Sequence, residues 1–221
     1  FEDAERQLAD GKYSQAIELY ERFQKEYPRS KQRRAADLAI GQARVRRELA
    51  GSAPNWDEAR TELDRLIRSE RNTPDYKTTL QPIVRDFAEQ IALGAAKSAE
   101  TTADAALLEV SASANEMMER ATPVDAPASA AGQQILEATD RARSAITRRL
   151  AFEQSLAVMQ AALDAKDPIG ALAERQALLR KYPVLAKEKP LTPLVEAAVK
   201  SALESVTSID VDRPAVTEQP S

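Results

Sequence analysis

The sequence predicts an all-α protein, and three observations lead to this prediction. Apolar residues recur at three- and four-residue steps, alanine supplies much of the apolar content, and no window alternates apolar with polar residues as a strand would. Of the 221 residues, 43% are apolar but only 5% are aromatic. A core with so few rings and so many alanines favours closely packed helices over a β-sandwich.

Two helices are predicted within the first fifty residues, after a Phe1–Leu8 stretch that reads as the end of an earlier helix. The first follows Asp10-Gly11 and ends at Pro28. Its inner face consists of Tyr13, Ala16, Ile17, Tyr20, Phe23, Gln24 and Tyr27. The second runs from about Arg33 to Leu49. Its inner face consists of Ala35, Ala36, Leu38, Ala39, Ala43 and Val45.

The pattern of the first helix occurs again further along the chain. In each copy a ring residue or proline precedes an alanine by three positions, and a large apolar residue follows. The three sets are Tyr13, Ala16 and Phe23; Trp56, Ala59 and Leu66; and Pro168, Ala171 and Leu178. Each segment closes at a proline, in Tyr27-Pro28, Thr73-Pro74 and Tyr182-Pro183, and Leu80-Gln-Pro82 and Leu191-Thr-Pro193 read as further helix starts. Repeated helical hairpins are therefore predicted, with the alanine at the helix crossing and the ring filling the gap between hairpins.

These residues resemble tetratricopeptide repeats. Gly11-x-Tyr13-x-x-Ala16-x-x-x-Tyr20, then Phe23 and Pro28, fall at that family's spacing for its second helix, and Ile40-Gly41 falls where its first helix usually carries Leu-Gly. The stretch from Leu8 to Ser30 is most similar to repeats of bacterial cell-envelope lipoproteins, which serve outer-membrane assembly and cell-division scaffolding. The resemblance covers residues 1–50 best, extends to 51–74 and 164–206, and is absent from 95–160. It implies an irregular TPR-like α-solenoid.

The middle of the chain predicts a long Ala-rich antiparallel helical hairpin inserted into this solenoid. One long helix is expected over Thr79–Ala121, with a seam of Ala99, Ala103, Ala106, Val110, Ala114, Met117 and Ala121. A loop over Thr122–Ala130 follows. A second helix then carries Ile135, Ala138, Ala142, Ile146, Leu150, Leu156, Met159 and Leu163 on one side. The alternative is that one or both helices break, near Gly94 or Ser111–Ser113, and fold back.

Charge is segregated along this region. Residues 75–140 contain 11 acidic and 4 basic residues, whereas residues 141–190 contain 5 acidic and 10 basic residues. Opposite charges would favour pairing of the two long helices. The alternative is a separate acidic surface for a basic partner.

The predicted organisation has four parts. TPR-like repeats occupy 1–74, the long hairpin 75–166, a TPR-like hairpin with a capping helix 167–207, and a flexible linker or tail 208–221, which lacks periodicity and contains two prolines. Because the chain begins with Phe1 rather than Met, we expect it to be a fragment of a larger protein, and the resemblance suggests a bacterial one.

Composition excludes several function classes. The chain has no His and no Cys, which removes imidazole acid–base chemistry, Cys or Ser–His nucleophiles, disulfides, and zinc or haem ligation by these residues. Neither phosphate-binding glycine motif occurs. A net charge of −4 argues against nucleic-acid binding. We therefore predict no catalytic, cofactor-binding or metal-binding residues, no cofactor, and no transmembrane segment in this chain.

The main basic cluster is formed by Arg29, Lys31, Arg33, Arg34, Arg44, Arg46 and Arg47. Acidic neighbours and the absence of interleaved aromatics favour a solvated helix face over a phosphate or nucleic-acid site. The resemblance implies a concave groove lined by first-helix residues, here including Gln42 and Arg46. Such an arginine would suit a peptide carboxylate.

Three further features have simple structural interpretations. Asp164 and Asp167 could form a carboxylate pair, but they align with the Asp10-Gly11-Lys12 turn and are predicted to form a turn themselves. Trp56 could be a ligand platform, but its position favours core packing. Met117 and Met118 could make an adaptable contact, although the seam already accounts for Met117.

The leading functional hypothesis is a non-catalytic scaffold that binds a protein or peptide partner, or a second copy of itself. The alternative is a structural α-solenoid arm of a multidomain envelope or coat-like protein. An enzyme without His or Cys is a remote third hypothesis. The resemblance favours the cell envelope or periplasm over the cytoplasm, but the compartment is not established by the sequence.

Overall fold

The computed structural model describes residues 1–123 and 130–211, and the protein is all-helical over those residues, which confirms the predicted class. A π-helical turn at Tyr76–Leu80 and a 3-10 turn at Pro183–Lys187 supplement the α-helices. The α-helices are α1 (Glu2–Ala9), α2 (Tyr13–Glu26), α3 (Arg33–Leu49), α4 (Trp56–Glu70), α5 (Gln81–Thr102), α6 (Ala105–Ala121), α7 (Ala130–Asp164), α8 (Pro168–Lys181) and α9 (Leu191–Val211).

The chain divides into two compact units, Phe1–Ile146 and Thr147–Ser221, and α7 contributes to both. The four-part division expected from the sequence stays a prediction. Residues 208–211, expected in the tail, belong to α9. Residues 212–221 and positions 124–129 of the expected loop lie outside the described residues.

In the first unit each helix packs against the next, from α1 to α6, and α6 also packs against α4. The helices α1, α2 and α3 share a core of Ala4, Ala16, Ile17, Tyr20, Ala36, Ile40 and Ala43. The predicted bounds of the first two helices are confirmed. Two inward assignments are wrong. Tyr27 is exposed, because it lies beyond the last residue of α2. Ala35 is exposed and Ile40 is buried, because Ala36, Ile40 and Ala43 follow four- and three-residue steps and Ala35 lies one position away from this row.

Small residues bring neighbouring helices close together. A Cβ at Gly41 of α3 would stand 2.6 Å from Leu66 Cδ1 of α4, so only glycine leaves Leu66 its present place. Ala16, Ala59 and Ala171, the three alanines of the repeated pattern, are all fully buried. Their burial is what the predicted position at helix crossings requires.

The prediction of one long helix over Thr79–Ala121 is wrong, because two helices, α5 and α6, occupy this stretch. The chain reverses at Ala103, where φ is 54°, and continues as α6 after Asp104, whose carboxylate accepts a hydrogen bond from Ala106 N at 2.9 Å. The Gln81 amide donates to the Ala121 carbonyl at 2.9 Å, which joins the far ends of α5 and α6 and makes the pair antiparallel. The fold-back alternative is thus correct, but its expected break points are wrong, because Gly94 lies inside α5 and Ser111–Ser113 lie inside α6.

Alanines dominate the contact between α5 and α6. Ala92, Ala95, Ala96 and Ala99 are fully buried on α5, and the Ser111 hydroxyl of α6 donates to the Ala92 carbonyl at 2.8 Å. On α6 the buried face differs from the predicted seam, because Ala106 is exposed. It consists of Val110, Ser111, Ala114, Met118 and Ala121.

The second long helix is confirmed as the continuous 35-residue α7. Its predicted inner side is wrong at Leu150, which is exposed, because the buried side of α7 passes through Ala145 and Phe152 instead. In its first half Ile135, Ala138 and Ala142 are buried on one side. Between α7 and α5 the described residues form one ion pair, from Arg141 Nε to Glu100 at 3.2 Å. Both side chains are substantially exposed, so this pair contributes little, on the order of 0.2–1 kcal/mol. Charge segregation therefore does little to hold α7 in place.

The second unit has its own core. It is formed by the end of α7, α8, the 3-10 turn and α9, with Phe152, Met159, Ala171, Leu178, Leu185, Leu191 and Ala198 buried. The Ser155 hydroxyl of α7 donates to the Glu174 carboxylate of α8 at 2.5 Å.

The end of α7 together with α8 and α9, hereafter the C-terminal triplet, repeats part of the buried pattern of α1, α2 and α3, hereafter the N-terminal triplet. The buried Ile17, Tyr20 and Ile40 of the N-terminal triplet have only partly buried counterparts. Residues 1–48 match residues 156–203 in constant register. The matched buried pairs are Ala4 and Met159, Ala16 and Ala171, Ala36 and Leu191, and Ala43 and Ala198. Further matched pairs pack against the two cores: Phe1 and Leu156, Leu8 and Leu163, Phe23 and Leu178 (buried in the second copy).

The turns of the two triplets match as well. Lys12 N donates to the Gln7 carbonyl at 2.9 Å, and at the equivalent place Asp167 N donates to the Ala162 carbonyl at 2.8 Å. Gly11 and Lys166, which match each other in register, both have positive φ, at 73° and 60°. The same hydrogen-bonded turn therefore leads into α2 and into α8.

Candidate functional site

A groove in the first unit combines charged and apolar side chains from α2, α3 and α5. It consists of two adjoining clefts that share Tyr13 and Ala50, and we call it the Tyr13 groove. The larger cleft, about 410 Å³, is lined by Tyr13, Arg46, Leu49, Ala50, Ile83, Asp86, Phe87 and Gln90. The smaller, about 380 Å³, is lined by Gly11, Lys12, Tyr13, Ser14, Gln15, Arg47 and Ala50.

Three helices position the main side chains of this groove. Tyr13 is the first residue of α2, because Gly11 at positive φ lets the chain turn directly into that helix. Arg46 lies in the last turn of α3, and its guanidinium carbon stands 5.8 Å from the centroid of the Phe87 ring on α5. A cation over an aromatic face is attracted by the ring quadrupole, which holds Arg46 across the groove.

Arg46 is available for an anionic ligand. Within the part of the chain that the structure describes, no carboxylate lies at ion-pair distance from its guanidinium. By contrast, Arg44 binds Glu21 at 3.1 Å and Arg47 binds Glu48 at 2.8 Å. Of the three arginines at this end of α3, Arg46 is therefore the one whose guanidinium group is not already bound to a carboxylate of the described residues.

The start of α2 adds to the positive character of the groove. Its N-cap residue, Lys12, makes no side-chain capping bond, and the first turn of the helix contains no acidic residue. The first N–H groups of a helix have no intrahelical partner and carry partial positive charge. The groove thus presents Arg46 as its arginine without a carboxylate partner among the described residues, a helix start, and the apolar surfaces of Leu49, Ile83 and Phe87. The two other cations of its lining, Lys12 and Arg47, pair with Asp10 and Glu48.

The resemblance implied a concave groove lined by Gln42 and Arg46, and the structure places these two residues differently. Arg46 lines the Tyr13 groove, but Gln42, one helical turn earlier on α3, does not. Phe87, Ile83 and Gln90 were not predicted, because they come from α5, whose packing beside α3 could not be read from local patterns.

The basic cluster is split into two groups. Arg33 and Arg46 are separated by about 20 Å along α3 at 1.5 Å per residue. Arg34 pairs with Asp75 at 3.4 Å, and Arg33 donates to the Pro28 carbonyl at 3.1 Å. One continuous basic patch is therefore not formed.

The two carboxylates at the end of α7 form a turn, as predicted. Asp167 caps α8 by accepting a hydrogen bond from Gly170 N at 2.8 Å. Asp164 accepts from the Gln160 amide at 2.9 Å. Each carboxylate has a local structural partner.

Trp56 is a packing residue, as predicted. Its ring lies against Gly94 of α5, and Nε1 donates to the Ser98 hydroxyl at 2.9 Å. Met118 is buried in the core of α3 to α6, and Met117 packs against that core while remaining partly exposed.

A smaller cavity, about 210 Å³, lies where the start of α3 meets the π-helical turn. It is lined by Arg34, Ala35, Leu38, Glu70, Thr73, Asp75, Tyr76, Thr79 and Leu80. Burial raises the pKa of Tyr76, so its hydroxyl stays protonated further into the alkaline range. The cavity has about half the volume of the larger cleft and contains an internal ion pair, so it is the weaker candidate site.

None of the described helices is both long enough and apolar enough to cross a membrane. Among the residues that the structure describes, no group of three or more carboxylates could hold a metal ion. No protein-family model matches the chain, and no curated protein matches its sequence.

Proposed function

We propose that the protein is a non-catalytic scaffold of TPR-like type that binds a peptide segment of a partner protein in the Tyr13 groove. The single observation that carries this proposal is the position of Arg46. Its guanidinium lies on the Phe87 ring in a groove of about 410 Å³ and has no carboxylate partner among the described residues. A groove that combines a cation without a carboxylate partner among the described residues with an apolar wall of Leu49, Ile83 and Phe87 suits recognition of a peptide.

The TPR-like, solenoid part of the proposal has its own support. The N-terminal and C-terminal triplets share buried positions and a turn geometry. Small residues are buried where helices pack closely, at Gly41, Ala59 and Ala171. Stacked helical hairpins of this kind create extended surfaces for binding. The start of α2, the end of α3 and α5 would form one such surface.

The groove favours a peptide with a carboxylate next to an apolar side chain. An arginine can hold a carboxylate through two parallel hydrogen bonds, and the helix start at Tyr13 adds donors for an anion. Leu49, Ile83 and Phe87 can then receive an apolar side chain. Asp86 at the rim disfavours a second carboxylate close by.

Selection from a displayed library of random linear peptides tests this proposal and does not require the partner to be identified first. We expect selection on the whole chain to enrich peptides that contain an acidic residue or free C-terminus beside an apolar residue. Arg46→Ala should weaken binding of the enriched peptides by at least tenfold, because it removes the guanidinium group that would bind the peptide carboxylate.

Arg44→Ala is the matched control. Arg44 lies on the same helix but binds Glu21 outside the groove, so its loss should leave peptide affinity within about twofold. No enrichment above background, or an equal loss in Arg44→Ala and Arg46→Ala, would contradict the proposal.

A further inference from the structure

The exposed face of α8 is apolar where its counterpart in the N-terminal triplet is charged. The exposed positions of α8 are Ile169, Ala173, Gln176, Ala177, Arg180 and Lys181, of which the two charged ones lie in its last turn. The same positions of α2 are Ser14, Glu18, Glu21, Arg22, Lys25 and Glu26. Because the two helices occupy equivalent places in equivalent triplets, packing inside a triplet does not require the apolar face of α8.

Large apolar side chains extend this surface. Ile169 is 76% exposed and Val199 of α9 is 45% exposed. In the N-terminal triplet the position of Val199 is taken by Arg44, which binds Glu21 across the two helices at 3.1 Å. In the C-terminal triplet Gln176 and Val199 replace that ion pair. A helix that is apolar on both its inner and its outer face is usually covered by a partner.

We propose that this face is covered by α8 of a second copy of the chain, in an antiparallel two-fold contact centred on Ala173. This surface is distinct from the Tyr13 groove, and the proposal does not depend on peptide binding there. About the two-fold axis, Ile169 of one copy faces Ala177 of the other, so that a large side chain meets a small one on each side of the centre. Two Ala173 residues meet at the axis and allow close approach of the helices.

Charge at the ends of α8 favours the antiparallel arrangement. The N-terminal end carries a net charge of −1, because Lys166 lies between two aspartates there. The four other charged residues at the ends of α8 are Asp164 and Asp167 at the N-terminal end and Arg180 and Lys181 at the C-terminal end. None of these four side chains forms an ion pair with another described residue. Antiparallel pairing places each N-terminal end, with its net charge of −1, beside a C-terminal end that carries Arg180 and Lys181, although Lys166 then lies opposite Arg180. Parallel pairing would place the two basic ends together. The occupant that this face fits is therefore its own counterpart.

The contact is small, so the dimer should be weak. A single 14-residue helix and the edge of α9 bury less than a standard interface of roughly 1,600 Å². Association should appear by light scattering at tens to hundreds of micromolar protein, and the Arg180→Glu variant should weaken it.

Because the chain contains no cysteine, single-cysteine variants report the geometry directly. Under mild oxidation Ala173→Cys should form a disulfide dimer at least tenfold faster than Ile169→Cys. The two residues 169 of an antiparallel pair lie about 12 Å further apart along the helix axes than the two residues 173. Glu18→Cys, the equivalent position on α2, is the control and should crosslink no faster than Ile169→Cys.

A second variant removes the face without adding a thiol. Ile169→Ser, Ala173→Glu and Ala177→Arg together give α8 the outer residues of α2, a helix that carries them without loss of its fold. This triple variant should be monomeric at concentrations where the wild-type chain dimerises, with unchanged circular dichroism. Wild-type chain that stays monomeric at several hundred micromolar, or equal crosslinking of Ala173→Cys and Glu18→Cys, would overturn the proposal. Equal crosslinking at 169 and 173 would also overturn it.

Discussion

The ring of Trp56 rests directly on the backbone of α5 at Gly94, so that glycine and indole form one packed unit between α4 and α5. The indole Nε1 also donates to Ser98, one turn further along α5, at 2.9 Å. A glycine in the interior of a helix is normally unfavourable. Here it provides the space in which the only tryptophan of the chain packs.

Gly94→Ala should therefore destabilise the protein. The added Cβ would overlap the Trp56 ring, and overpacking of this kind costs about 1–3 kcal/mol, more than the roughly 1 kcal/mol that alanine gains in helix propensity. Urea unfolding followed by circular dichroism measures the net effect. In the Trp56→Ala background, where the clash is absent, Gly94→Ala should instead be neutral or stabilising. A stabilised Gly94→Ala in the wild-type background would show that the ring does not occupy this space.

The reversal at Ala103 gives a second prediction. Because Ala103 has a φ of 54°, glycine should relieve its strain, and Ala103→Gly should raise the free energy of unfolding by about 0.5–1 kcal/mol. Ala112→Gly, at an exposed position within α6, is the control and should lower it by about 1 kcal/mol. A loss of stability in both variants would mean that residue 103 is helical and that α5 and α6 are continuous.

The buried Tyr20 predicts an alkaline pH dependence of stability. Burial first, and then the Glu5 carboxylate, raise the pKa of Tyr20 in the folded state. Its contribution should be fully present below the unfolded-state pKa of about 10 and lost as the pH rises through the folded-state pKa. Unfolding free energies measured from pH 8 to 11.5 should therefore fall less steeply in Tyr20→Phe. The exposed Tyr27→Phe is the control, and an equal slope in wild type and Tyr20→Phe would contradict the prediction.

The matched alanines of the two triplets predict equal sensitivity to added volume. Ala16 and Ala171 are both fully buried, and either one changed to leucine should lower the free energy of unfolding by about 1–3 kcal/mol. Ala35→Leu, at an exposed position of α3, should change it by less than about 0.5 kcal/mol. Tolerance of leucine at 171 but not at 16 would show that the two triplets do not pack alike.

Local signals were enough to predict most helix bounds. The bounds of α2 and α3 follow from Asp10-Gly11, Pro28 and the three- and four-residue steps, since turns and prolines act on the backbone where they stand. The break at Ala103 was not predicted. Alanine is the best helix former and gives no sign of a left-handed conformation, so the position of the reversal depends on how α5 and α6 pack. Asp104, a favoured N-cap residue, was the one local signal available.

The groove was only partly predictable for a related reason. The resemblance placed Arg46 in a groove, but the apolar wall of Phe87 and Ile83 comes from a helix that begins more than thirty residues later. The match between the two triplets was also only partly visible in the sequence. A position that holds alanine in one triplet can hold a larger residue in the other, as Ala4 and Met159 do. Burial is retained at these positions although residue identity is not.

Hydrogen exchange of the whole chain, with and without a library-selected peptide, tests the proposed binding function most directly. We expect the peptide to slow amide hydrogen exchange only in the Tyr13 groove. The affected segments are the start of α2, the end of α3 with Ala50, and residues 83–90 of α5. The Arg46→Ala variant should lose this protection, whereas Arg44→Ala should retain it. Protection that falls elsewhere in the chain, or that survives Arg46→Ala unchanged, would contradict the account.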